Sequence, residues 1–215
     1  GEATRRLDER YTLARLIDFH HFAAREYGLD SPDWSALSSD LTGSLVSAHL
    51  ISPAEYQHTL KLICPRSERF DRDALIDAFV LILAYRFGLR GAEAISMDRT
   101  DWVEVLSGVV VLVRGKHRKT KTYSGRRQVP LFGSFTEHER YVIDSWMKHW
   151  DLHSADKSQG PLFFAEGAPK TPAAIHRHRA SIVSALRAVT GSTSVTLHHA
   201  RHSFANLLAQ RLIFP

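Results

Sequence analysis

The chain has 215 residues, 44% of them hydrophobic and 24% charged, enough for one well-buried core or one domain with an appendage. No apolar run reaches the roughly 20 residues of a membrane-spanning helix, nothing at the start reads as a secretory leader, and the single cysteine, Cys64, excludes an internal disulfide and a cysteine-based zinc site. A soluble protein of a reducing compartment such as the bacterial cytoplasm is expected, and 28 Lys and Arg against 23 Asp and Glu, with 13 His besides, favour a polyanionic partner without naming one.

In chain order, Leu13, Leu16, Ile17, Phe19 and Phe22 recur at helical spacing between about Thr4 and Tyr27, which predicts an amphipathic helix stopped by Gly28. The Ser-, Asp-, Pro- and Gly-rich stretch to about Gly43 reads as a linker, so the expected domains are residues 1–43 and 44–215. Ser52, Pro53 and Glu55 then form a helix start with a capping box, and the helix runs to about Cys64. The run ALIDAFVLILAYRF carries apolar residues on every side, so its helix is expected to be buried nearly all round, with Gly88 as its stop. GAEAISM reads as a short helix. Trp102 to Val105, GVVVLVRG and RRQVPLF are three antiparallel strands by their β-branched content, the last two joined by the basic turn KHRKTKTYSG. Helices from Thr136 to Trp150 and from Thr171 to Val189 follow, then a last one that Thr196 could cap. The fold class is therefore mostly α with a small antiparallel β-sheet, an α+β domain from which a basic hairpin projects.

Three stretches carry candidate chemistry. In TLHHARHSFANLL, His198 and His202 are four apart on one helix face, as in two-histidine metal sites, but His199 stands where the general-base glutamate would be and no carboxylate or cysteine cluster completes a shell. No metal is expected. A solvated polar face is the plain alternative; against it, the apolar FANLLAQRL that follows implies a core-facing helix whose start presents His198 and Arg201 to an anion. Arg90 follows a buried helix and a glycine, and Glu93 either merely pairs with it across one helical turn or orients its guanidinium toward a phosphate; spacing does not separate these. The turn from Lys116 to Arg127 holds Lys116, Arg118, Lys119, Lys121, Arg126 and Arg127, either a solvated tip or a set of nucleic-acid contacts.

Singly these are weak; their order is specific. GLRGAEAISM, KTKTYSGRRQVPL and LHHARHSFANLL resemble, in sequence, the three boxes of the tyrosine recombinase (phage integrase) catalytic domain, over roughly Ser52 to the end of the chain. The resemblance implies that residues 1–43 are the end of a core-binding domain. It also implies attack of a tyrosine on a scissile phosphodiester, a 3′-phosphotyrosyl intermediate, and no metal or nucleotide cofactor. In that reaction Arg90 and Arg201 would stabilise the phosphoryl charge, and Glu93 would orient Arg90. His198 would hold the phosphate or assist the tyrosine, and a lysine would protonate the leaving 5′-oxygen: Lys121 first, then Lys119, then Lys116. Arg118, Tyr123, Arg126, Arg127 and His202 would be further DNA contacts. Tyr11, Tyr27, Tyr56, Tyr85, Tyr123 and Tyr141 are all wrongly placed for the nucleophile, which the family carries beyond the last box, so the chain is expected to be a fragment that binds DNA without completing cleavage. The implied partner is double-stranded DNA, held by a tetramer of the full-length parent, and not a membrane. The implied setting is the cytoplasm, for a bacterial or phage-encoded protein associated with the nucleoid, and the biology of a mobile element. Two rivals share much of this pattern: a DNA-binding protein that keeps the scaffold without catalysis, and a type IB topoisomerase, against which the compact spacing and short hairpin count.

Overall fold

The computed structural model describes residues 24, 27–28, 49–67, 69–106, 108–114, 126–154, 159–163 and 172–213. The chain divides into two compact units, Gly1–Ser47 and Ala48–Pro215. In the first, Ala24 and Tyr27 are helical and Gly28 donates its N–H to the Ala24 carbonyl at 3.0 Å, while the rest of the expected Thr4–Tyr27 helix lies outside the described residues.

The second unit begins with α1, Pro53–Ile63. Its start is the expected capping box: Ser52 Oγ accepts from the Glu55 amide at 3.2 Å, and Glu55 Oε2 accepts from the Ser52 amide at 2.8 Å. Helix α2, Arg72–Arg86, is capped by Asp71 and buried at every position from Leu75 to Tyr85, as a run apolar on every side apart from Asp77 requires. The short α3, Gly91–Ile95, and a 3₁₀ turn, Arg99–Asp101, lead into the sheet. Strands β1 (Trp102–Val105), β2 (Gly108–Val113) and β3 (Arg127–Pro130) are antiparallel in the order β1-β2-β3. Their register aligns Trp102 with Val111 and Val111 with Val129, so one buried residue from each strand forms a row facing the body. Trp102 packs edge-on against Phe79 of α2 with ring centroids 5.2 Å apart, which seats the sheet on the central helix. Pro130 is tolerated because β3 is an edge strand.

Helices α4 (Glu137–His153), α5 (Pro172–Thr190) and α6 (Leu197–Ile213) complete the unit. Fully buried Glu139 of α4 accepts from Tyr56 Oη at 2.6 Å and from Arg86 Nη1 at 3.0 and 2.9 Å, so one carboxylate ties α1, α2 and α4 together. Buried Asp77 of α2 and His178 of α5 meet at 2.7 Å, a second polar tie between core helices. This is the mostly helical fold with a small antiparallel sheet that the pattern predicts. One expectation needs correction: only Leu197, Ala200 and Ser203 of α6 are buried, whereas Phe204, Leu207 and Leu208 are partly covered and Leu212 and Ile213 are exposed. Phe204, Leu207 and Leu208 line a groove with Pro53, Tyr56 and Phe132, so the apolar half of α6 borders the core without entering it.

Candidate active site

Three arginines remote in sequence converge on one carboxylate. Arg90 stands at the turn between α2 and α3, and the helical turn of α3 brings Glu93 back to it: Glu93 Oε2 accepts from the Arg90 amide at 2.8 Å and Oε1 from Arg90 Nη1 at 3.0 Å. From β3, Arg127 donates Nη2 to Glu93 Oε2 at 2.7 Å and Nη1 to Oε1 at 3.3 Å. From α6, Arg201 Nη1 lies 3.8 Å from the same Oε2 and donates to the Gly88 carbonyl at 2.6 Å. Burial alone would raise the Glu93 pKa, but the hydrogen bonds from Arg127 and Arg90 and the charge of Arg127 outweigh it and bring it down to about 2. Three guanidiniums thus gather around one ionised carboxylate. Burial, then the charges of Arg127 and Arg90, push the Arg201 pKa down, with Glu93 opposing.

A glycine allows this approach. A Cβ on Gly91 would come within 2.8 Å of Leu197 Cδ2, so any larger residue there would make the Leu197 side chain shift at the start of α6.

Histidines flank the cluster. His198 is exposed on the first turn of α6, and its ring meets that of His202 edge-on with centroids 4.5 Å apart. Burial, then His202, Arg201, His199 and Arg90, lower the His198 pKa below the usual imidazole value, so the neutral ring is favoured at pH 7. Thr196, the expected cap, meets His199 Nδ1 at 3.1 Å through both its amide and its hydroxyl; the imidazole takes the place that a glutamate fills in an ordinary capping box. Among the described residues no group of three or more His, Cys, Asp and Glu side chains is arranged to hold a metal ion.

A cationic, preorganised cluster beside a neutral imidazole can bind and polarise a tetrahedral oxyanion, with guanidinium donors supplying charge without proton transfer. Residues 52–213 match the phage integrase family. The chain belongs to that family. It is 32% identical over 137 residues to tyrosine recombinase XerC of Bradyrhizobium diazoefficiens, a match covering 63% of this chain and 38% of that protein. Two solved structures share the fold. The XerH site-specific recombinase in a post-cleavage complex with a palindromic difH substrate aligns with a TM-score of 0.52 and 20% identity, over 76% of this chain and 43% of that one. XerA recombinase aligns with a TM-score of 0.51 and 16% identity, over 75% and 51%. The chain thus spans about two fifths to one half of the length of these relatives.

Within the phage integrase fold, the described part of the predicted site falls in one place: Arg90, Glu93 and Arg201 share the carboxylate cluster, and His198 and His202 stand on the first two turns of α6. Arg126 is exposed beside the cluster strand, whereas Arg127, expected as a DNA contact, turns inward onto Glu93. Lys116, Arg118, Lys119, Lys121 and Tyr123 lie outside the described residues. Tyr56 and Tyr85 stack in the core with centroids 3.9 Å apart, and Tyr141 donates to the Ser67 carbonyl at 3.2 Å, so these three hydroxyls are engaged away from the cluster.

The sequence reading missed His199 as a structural residue, although its position three after Thr196 is the capping-box position and carried that signal. It also missed the segment ahead of α1: the Ile51 amide donates to Ser203 Oγ at 2.8 Å and the His49 ring lies 6.5 Å from that of His199, contacts across about 150 residues that no local pattern announces.

Proposed function

We propose that this domain holds and activates the scissile phosphodiester in site-specific DNA strand exchange. Arg90 and Arg201 donate to the non-bridging phosphate oxygens and stabilise the charge that grows there in the transition state, Glu93 holds Arg90 in place, and neutral His198 accepts or shares a proton at the phosphate. Lys121 protonates the leaving 5′-oxygen, with Lys119 and Lys116 as the alternative donors. Tyr56, Tyr85 and Tyr141 are committed elsewhere, so none of the three is assigned as the nucleophile, and binding and phosphate activation are the tasks assigned to this unit. The partner is double-stranded DNA, assembled in the complete protein with four protomers. The observation that carries the reading is the convergence of Arg90 and Arg201, 111 positions apart, on Glu93, with His198 one helical turn before Arg201.

Fluorescence anisotropy of a labelled duplex tests it. Binding is expected, with log K falling linearly in log salt as counterions are released. Arg90→Ala and Arg201→Ala each weaken binding modestly at low salt. Salt-independent binding, or none, would overturn the proposal.

A further inference from the structure

Arg127 turns onto Glu93, and only part of its side chain is exposed. Along β3, exposure alternates: Arg126 and Gln128 are exposed, Val129 is buried, and Arg127 shares the inward face with Val129. The pairing of Val113 with Arg127 and Val111 with Val129 fixes which of the two adjacent arginines turns inward; a slip of one residue would exchange them. Its guanidinium then grips both oxygens of Glu93, including the shortest of the arginine contacts to that carboxylate, with only 26% of the side chain exposed against 59% for Arg90. Two parallel N–H donors on one carboxylate set the direction of both groups. Glu93 in turn holds the Arg90 amide and guanidinium.

We infer that Arg127 is a positioning residue that fixes the start of β3 on the arginine cluster through Glu93, and that it makes no contact with DNA phosphate. The inference rests on the strand-exchange reading, because that reading makes the strand leaving the lysine-bearing turn part of the active site. Arg127 is then the joint between the hairpin and the guanidiniums of Arg90 and Arg201. A lysine cannot replace it, since one ammonium cannot span both carboxylate oxygens in a plane.

Two measurements on the whole chain test this. Carbon-detected NMR titration of the Glu93 carboxyl is expected to show a midpoint near 2 in the native protein, raised toward the ordinary carboxylate value in Arg127→Gln and partly raised in Arg127→Lys. Anisotropy with a random-sequence duplex is expected to show Arg127→Gln binding more weakly with an unchanged salt slope, while Arg201→Gln loses about 0.9 from the slope, the contribution of one phosphate contact. An unmoved Glu93 titration in both Arg127 variants overturns the grip. A slope reduced by about 0.9 in Arg127→Gln overturns the positioning role in favour of direct contact. Failure of the native chain to bind duplex DNA overturns the strand-exchange reading, and with it the active-site role of Arg127, while the Glu93 titration still decides whether the grip exists. Arg127→Lys, which keeps the charge, guards against a loss of folding in the glutamine variant.

Discussion

Arg201 Nη1 donates to the Gly88 carbonyl at 2.6 Å, joining the last helix to the turn that ends α2. Gly88 holds φ +62, and a Cβ there would lie 2.3 Å from Phe204 Cδ1, one turn beyond Arg201 on α6. Gly88→Ala therefore incurs both backbone strain and a clash that pushes on the helix carrying Arg201. A loss of about 1–3 kcal/mol is expected from the strain alone, and more with the clash. Gly191→Ala is the control, because Gly191 has φ +67 with nothing within 4 Å of its added Cβ. Calorimetry of the two variants should show the larger drop in Tm for Gly88→Ala; equal drops would mean that Phe204 moves aside freely.

The Glu93 carboxyl titrates near 2 in the folded chain against an ordinary value of 4.5. A depressed carboxyl pKa contributes stability that is fully present above about pH 4.5 and is lost as pH falls through 2. Glu93→Gln should remove most of that contribution at pH 7 and flatten the acid limb of the stability curve between pH 4.5 and 2. Urea unfolding at several pH values measures both. A variant whose acid limb matches the native one would show that other carboxylates carry it.

Much of the fold was readable because its signals are local. Ser52 with Glu55, and Gly88, mark helix ends by backbone chemistry, and β-branched runs mark the strands wherever partners are adjacent in sequence. The site was readable as a set of boxes and not as a set of contacts. Spacing left Glu93 either as a simple partner of Arg90 or as its orienter, whereas the structure adds Arg127, 34 positions on, and Arg201, 108 positions on, to the same carboxylate. Pairings of that span depend on the seating of β3 and α6 on α2, which no periodicity encodes. The inward turn of Arg127 did have a trace, its alternation with core Val129, but that face becomes meaningful only once the register is known. The buried pairs Asp77–His178 and Tyr56–Glu139 join helices far apart in sequence for the same reason.

Glu139 accepts from Tyr56 and from Arg86 with no exposed surface, and it also closes the capping box of α4 through the Thr136 amide at 2.6 Å. Glu139→Gln keeps the shape but leaves the Arg86 guanidinium, 15% exposed, without its counter-charge. Breaking a buried pair from one side costs about 3–5 kcal/mol. Tyr56→Phe removes one hydrogen bond to a charged acceptor, about 1.5–3 kcal/mol. Urea midpoints should fall in that order with the m-value unchanged. The reverse order would place the main tie on the tyrosine.

Basic neighbours surround the start of α6 near His198: His202, Arg201 and His199 from its own helix and Arg90 from the turn before α3. Its folded pKa lies below the usual 6.5 through burial and then these neighbours, so protonation opposes folding, and the stability it contributes is present above about pH 6.5 and is lost as pH falls through the lowered value. A phosphate against the ring reverses the local field and raises the same pKa, since a nearby anion favours the imidazolium. By linkage, duplex binding should then tighten as pH falls through the interval between the free and bound values. Imidazole NMR of the native chain, with and without duplex, should show the His198 midpoint move upward on binding, while His198→Gln loses the corresponding part of the pH dependence of affinity. His202→Gln, which removes the first of the neighbouring charges, should raise the His198 midpoint in the free protein and leave the upward shift on binding in place. A His198 midpoint that does not respond to duplex would put the phosphate elsewhere and leave Arg90 and Arg201 to hold it without the imidazole.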